Sequence, residues 1–207
     1  MSEQTEPGSR SASRPASRPG AERGRRWLAL GGLPVAAAAL VALNALYVLL
    51  VAFGNITDFG TNQAFVQHVM SMDTTNFGAP AGTDLDSSVM WRAITATAVQ
   101  NVAYVALIAW ETITGVILAV ALVFWVRERG RGYRVARALS SIGLLMIVML
   151  FMGGFIAIGG EWFQMWRSTA WNGEDAALRN AVLALVSLVV LHLPSTRWAP
   201  RAAGGAI

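Results

Sequence analysis

The sequence predicts an all-α fold: a four-helix transmembrane bundle, N-in/C-in, with a structured outer loop between helices 1 and 2. Three observations predict it. Apolar stretches at 33–53, 99–126, 139–158 and 176–193 each approach or exceed the ~20 residues that cross ~30 Å of hydrocarbon as a helix. All 16 basic residues are Arg, and nearly all fall on one side of those stretches. No ten-residue apolar alternation of the barrel kind occurs, and an open strand in lipid would leave its peptide groups unpaired.

Taken in order, residues 1–26 are rich in Ser, Pro, Gly and Arg, with the near repeat SRPASRP at 13–19, a composition that cannot bury a core and reads as a disordered cytoplasmic tail. The membrane domain covers 27–195, and 196–207 form a short cytoplasmic tail. A basic head before an apolar run resembles a signal peptide, but the run at 28–53 exceeds a typical h-region, so it reads as an uncleaved first span anchored by Trp27. After it, Phe65, Val66, Val69, Met70 and Met72 recur at near-helical spacing and predict a short amphipathic helix on the outer surface. Residues 76–88, rich in Gly, Ala, Asp and Ser, read as a mobile connection. Beyond Gly159 and Gly160, Trp162 and Trp166 are four apart and would share a face if the helix continued. The turn Trp171-Asn172-Gly173 then feeds the fourth helix, whose first turn carries Glu174 and Asp175, where the helix dipole favours acids.

Charge sets the orientation. Six Arg precede the first span, five lie between the second and third, and Arg197 and Arg201 follow the fourth, whereas only Arg92, Arg167 and Arg179 fall in the remaining loops. Those loops hold seven acids, Asp58, Asp73, Asp84, Asp86, Glu161, Glu174 and Asp175, so the positive-inside rule places them outside. The net charge of +4 resolves into juxtamembrane Arg suited to anionic headgroups, which makes the lipid bilayer the expected polyanionic partner and excludes nucleic acid. Absence of Cys excludes disulfides, thiolate metal sites and Cys nucleophiles; absence of Lys excludes Schiff-base chemistry.

The segment NITDFGTNQAFVQHVMSMDTT after the first span, paired with GGEWFQMWRSTAWNG after the third, resembles a bacterial family of predicted small integral membrane proteins known as a domain of unknown function. The resemblance covers roughly 33–193 and implies four spans and a location in the bacterial cytoplasmic (inner) membrane, without implying an activity. The long amino-terminal tail and the 76–88 insert depart from the pattern and are treated as peripheral additions.

Within the spans the informative residue is Glu111, read as lying near the middle of the second, where a charge costs ~2.5–3.5 kcal/mol and must find a partner or carry a proton. Asn44, expected at nearly the same depth in the adjacent antiparallel first span, is the candidate partner. The pair reads either as interhelical polar glue or as a proton- or ion-binding site. Outside the spans, His68, Asp73, Glu161, Trp162, Trp166, Trp171 and Asn172 form the candidate outer binding face, with an interfacial aromatic belt as the plainer reading. His68 and His192, the two histidines, fall at opposite membrane faces and cannot share one haem. No catalytic or phosphate-binding motif occurs, and no cofactor, metal site or catalytic residue is assigned. The expected function is that of an accessory or scaffold protein, in a larger membrane complex, presenting an aromatic and acidic outer face to a partner or ligand. A small proton-coupled transporter using Glu111 and Asn44, or an enzyme acting at the outer face through Glu161, His68 and Asp73, are the alternatives.

Overall fold

The computed structural model describes residues 30–199, so the expected disordered segment 1–26 and the Trp27 anchor lie outside the described residues. Helix α1 (Leu33–Thr57) carries Pro34 in its first turn, where a missing N–H costs nothing, and buries Ala37, Val41, Ala45, Val48, Ala52 and Asn55. That spacing of three and four is a coiled-coil seam, and its alanines let neighbouring backbones approach. A short helix, α2 (Phe59–Ser71), follows after one residue and ends at Met72 in the left-handed conformation, φ 56°. Helix α3 (Thr97–Arg127) is the longest at 31 residues. A tight turn through Gly130 and Gly132, both at positive φ, leads into α4 (Arg134–Val148), which continues without a break as a π-helix over Met149–Trp162. Helix α5 (Glu174–His192) completes the bundle.

Four of these helical rods, Leu33–Thr57, Thr97–Arg127, Arg134–Trp162 and Glu174–His192, are long and apolar enough to cross a membrane, and among the described residues the architecture is all-helical. Large apolar side chains such as Leu43, Leu50, Val102, Val116, Met149 and Val189 are exposed on the outside of the bundle, the inversion that lipid solvent requires. The helices pack in the ring α1, α3, α4, α5, with the α5–α1 seam the loosest. Close approach is set by small residues. A side chain at Gly115 would collide with Leu49, one at Gly143 would collide with Leu118, and α5 presents Ala177, Ala181, Ala184 and Ser187 to the core.

Two ends of the bundle differ in chemistry. At the arginine-rich end Trp125, Tyr133 and Trp198 cluster, with ring centroids 5.0–6.1 Å apart, and the Arg137 guanidinium lies 4.7 Å from the centroid of the Trp198 ring. There the Glu128 carboxylate accepts from the Val135 and Ala136 amides at 3.1 Å, satisfying free donors at the start of α4. At the opposite end α3 overhangs α1 and is partnered instead by α2: Phe59 packs on Tyr104 at 4.6 Å, Gln63 donates to Asn101 at 2.8 Å, and Ile94 N donates to Met70 O at 2.8 Å.

Residues 76–88, expected to be mobile, form a hydrogen-bonded set of turns tied to the rest of that end. Asn76 donates to the carbonyls of Pro80 and Thr83 at 2.9 Å, Gly82 N donates to Asp73 O at 2.7 Å, Phe77 N donates to Arg167 O at 3.0 Å, and Arg167 pairs with Asp86 at 3.1 Å. Composition reports the lack of a hydrophobic face but not the side-chain and carbonyl bonds that hold these turns together.

Candidate functional site: the chamber beneath α2

Because α2 folds back across the end of the bundle, it roofs two adjoining hollows that share Phe65, Val66, Leu107 and Phe155 in their walls. One, of about 190 Å³, is apolar and extends to Met70, Ile158 and Met165. The other, of about 250 Å³, is polar at its floor and contains Glu111.

Glu111 is 3% exposed, and its Oε2 accepts from Asn55 Nδ2 at 2.7 Å. Since the carboxylate takes the amide nitrogen, the Asn55 oxygen faces the other way and accepts from Asn62 Nδ2 at 2.6 Å. A relay of three side chains thus runs from the roof helix to the carboxyl. Tyr104, one heptad before Glu111 on the same buried stripe of α3, lines the chamber at 1% exposure with a hydroxyl that has no hydrogen-bond partner among the described residues. On the opposite wall Asn180 of α5 donates to the Tyr47 hydroxyl of α1 at 2.6 Å. Tyr47, 40% exposed, lines the chamber together with exposed Ala176 and half-buried Asn180, so the exposed part of its lining comes from α1 and α5, the most loosely packed pair of the ring.

Asn44 is not the partner of Glu111. Its amide donates to Leu40 O at 2.8 Å and to Ser187 Oγ of α5 at 3.0 Å. Glu111 is at the middle of α3, the fifteenth of its 31 residues, yet it is level with Asn55, in the last turn of α1. The physical reason is the overhang of α3, which shifts the antiparallel register by eleven residues of α1, roughly 16 Å at 1.5 Å per residue. Two signals in the sequence pointed to Asn55: it continues the seven-residue series Val41, Val48 of the buried seam, and Asn62 lies seven further on.

The seven outer-face candidates separate into groups. His68 Nδ1 bonds the Asp73 carboxylate at 2.9 Å and its ring stacks on Trp171 at 4.6 Å and 15°, so those three do meet. Glu161 and Trp162 lie elsewhere, where the Arg92 guanidinium sits 5.6 Å from the Trp162 ring and 5.5 Å from Trp91, and its Nη1 donates to Glu161 O at 3.5 Å. Trp162 and Trp166 do not share a face, because the helix ends at Trp162 and Gln164 turns left-handed at φ 53°. Trp166 instead packs on Phe77, 5.9 Å away, with Arg167 5.1 Å from its ring. Asn172 Oδ1 accepts from Glu174 N at 3.0 Å, a turn that delivers the acidic first turn of α5. Among the described residues no cluster of three or more His, Cys, Asp or Glu could hold a metal.

Four membrane-capable helices, a lipid-exposed apolar exterior and a buried polar chamber define a multi-pass α-helical integral membrane protein. The match is to a family model described as "Predicted small integral membrane protein (DUF2165)", over residues 33–194, and the chain belongs to that family. The matched region includes both α2 and the 76–88 turns. No curated protein and no solved structure matches the chain.

Proposed function

We propose that the protein binds a small ligand in the α2-roofed chamber and presents it, as an accessory component of a larger assembly, at the outer face of the bacterial cytoplasmic membrane. The observation that carries this reading is the chamber floor. Glu111 and Tyr104 are 3% and 1% exposed, and both keep hydrogen-bonding capacity that no described residue uses. Unsatisfied buried polar groups are costly, and a ligand bound among a few convergent polar groups in an apolar pocket supplies their partners.

The arginine asymmetry supports an outward-facing α2, since Arg127, Arg129, Arg131, Arg134 and Arg197 gather at the opposite end. Exposed Trp91, Phe77, Trp162 and Trp166, threaded by Arg92 and Arg167, ring the α2 end and supply the aromatic and Arg chemistry that dominates partner contacts. Binding is favoured over passage because the bundle closes directly below Glu111. Gly115 lies against Leu49 and Val48, Gly143 lies against Leu118, and the Thr114 hydroxyl bonds back to Trp110 O at 2.7 Å.

Native mass spectrometry of the full chain, released from its own membranes in mild detergent, tests the reading. The wild type is expected to carry a small non-lipid adduct that is lost in Val66→Trp, a substitution that fills both hollows from the roof. Bare wild-type protein, or an adduct that survives Val66→Trp, would overturn it.

A further inference from the structure

We infer that the chamber receives an amphiphilic organic cation, an ammonium group on a small apolar body, with the ammonium against Glu111 and the body in the adjoining apolar hollow. This rests on the ligand-binding reading above.

Charge comes first. Glu111 is the one carboxyl among the residues lining the two hollows, and no Arg or His lines either. Of the basic groups on the packed elements, Arg179 is exposed on α5 and acts on Tyr47, and His68 on α2 is paired with Asp73; both are outside the lining. The described ion pairs, His68 with Asp73 and Arg167 with Asp86, leave Glu111 without a counter-charge. A carboxylate removed from water without a counter-ion is strongly disfavoured, and a ligand that brings the positive charge removes that penalty.

Donor and acceptor bookkeeping agrees. Asn62 and Asn180 each use one amide N–H, on Asn55 and Tyr47, and among the described residues their carbonyl oxygens and Glu111 Oε1 accept nothing. An ammonium offers three donors, which suits the free carboxylate and carbonyl oxygens, and the Tyr104 hydroxyl can turn its oxygen toward it as well. The walls are aromatic and continuous: Tyr47 to Phe151 at 6.5 Å, Phe151 to Phe155 at 5.6 Å and Phe155 to Phe65 at 6.2 Å. Aromatic faces attract cations, most strongly where water is excluded. An inorganic ion would have no use for the 190 Å³ apolar hollow next door, whereas the hydrocarbon part of an amine fits there. Entry past the exposed α1–α5 lining suits a molecule already partitioned into the bilayer.

The test uses the full chain in lipid nanodiscs, titrated with phenethylamine, phenethyl alcohol and phenylacetate against empty nanodiscs. The amine is expected to bind at least about tenfold more tightly than the alcohol, with phenylacetate weakest, and Glu111→Gln is expected to erase the preference while sparing the alcohol. Equal affinity for amine and alcohol would overturn the cation assignment and leave the ligand-binding reading standing. Signals no larger than those of empty discs would sink both. The wild-type comparison decides the matter even where Glu111→Gln fails to assemble.

Discussion

Asn55 uses its amide twice, donating to Glu111 at 2.7 Å and accepting from Asn62 at 2.6 Å, so among the described residues the carboxyl has one partner and that partner is itself held from the roof. Removing Asn55 strands a buried carboxyl, whereas removing Asn44 breaks the bonds to Leu40 O and Ser187 and leaves Glu111 untouched. A double-mutant cycle on unfolding in lipid is therefore expected to give a coupling of about 0.6–1.7 kcal/mol between Asn55→Ala and Glu111→Gln, and none between Asn44→Ala and Glu111→Gln. The reverse pattern would return Glu111 to the partner first expected. At this scale the sequence was half legible. Glu111 stands out as an acid among apolar neighbours, but its partner depends on register. Tyr104 was invisible for the opposite reason: a tyrosine among apolar residues looks like ordinary core until its hydroxyl is seen to lack a partner.

Helices α1, α3 and α5 were readable from apolar length, and the amphipathic spacing of Phe65, Val66, Val69 and Met70 announced α2. What periodicity could not report is the π-helical half of α4, where the hydrogen-bond step lengthens over Met149–Trp162 while the apolar composition continues unchanged. It could not report the stop at Gln164 either, because a left-handed non-glycine carries no strong sequence mark. The 76–88 turns yield a prediction of their own. Bonds from the Ser88 hydroxyl and from Arg167 hold the Asp86 carboxyl below its ordinary pKa. A lowered folded pKa means the tie contributes above the ordinary carboxylate range and is lost as pH falls through the folded value. Hydrogen exchange in 76–88 should thus remain slow at neutral pH and accelerate, once corrected for intrinsic rate, only in strong acid. Asp86→Asn should show the faster exchange at neutral pH; an unchanged profile in that variant would remove the tie from the account.

For the molecule as a whole, orientation follows from where arginine lies, and the absence of Cys makes it directly measurable. Ser87→Cys and Thr196→Cys place single thiols on exposed positions at opposite ends of the bundle. In intact cells an impermeant maleimide is expected to label the first and spare the second, and the opposite result would invert the proposed presentation face. The bond between Asn180 and Tyr47 has a consequence for lipid traffic. It joins α1 to α5 across the exposed part of the lining at 2.6 Å, on a flank that meets acyl chains. A hydrocarbon tail that pushed through would break it and return nothing, because methylene groups neither donate nor accept. A guest with its own polar head replaces what it disrupts. On the proposed ligand-binding reading, the two side chains would work as a sieve, disfavouring hydrocarbon tails over guests that carry a polar head.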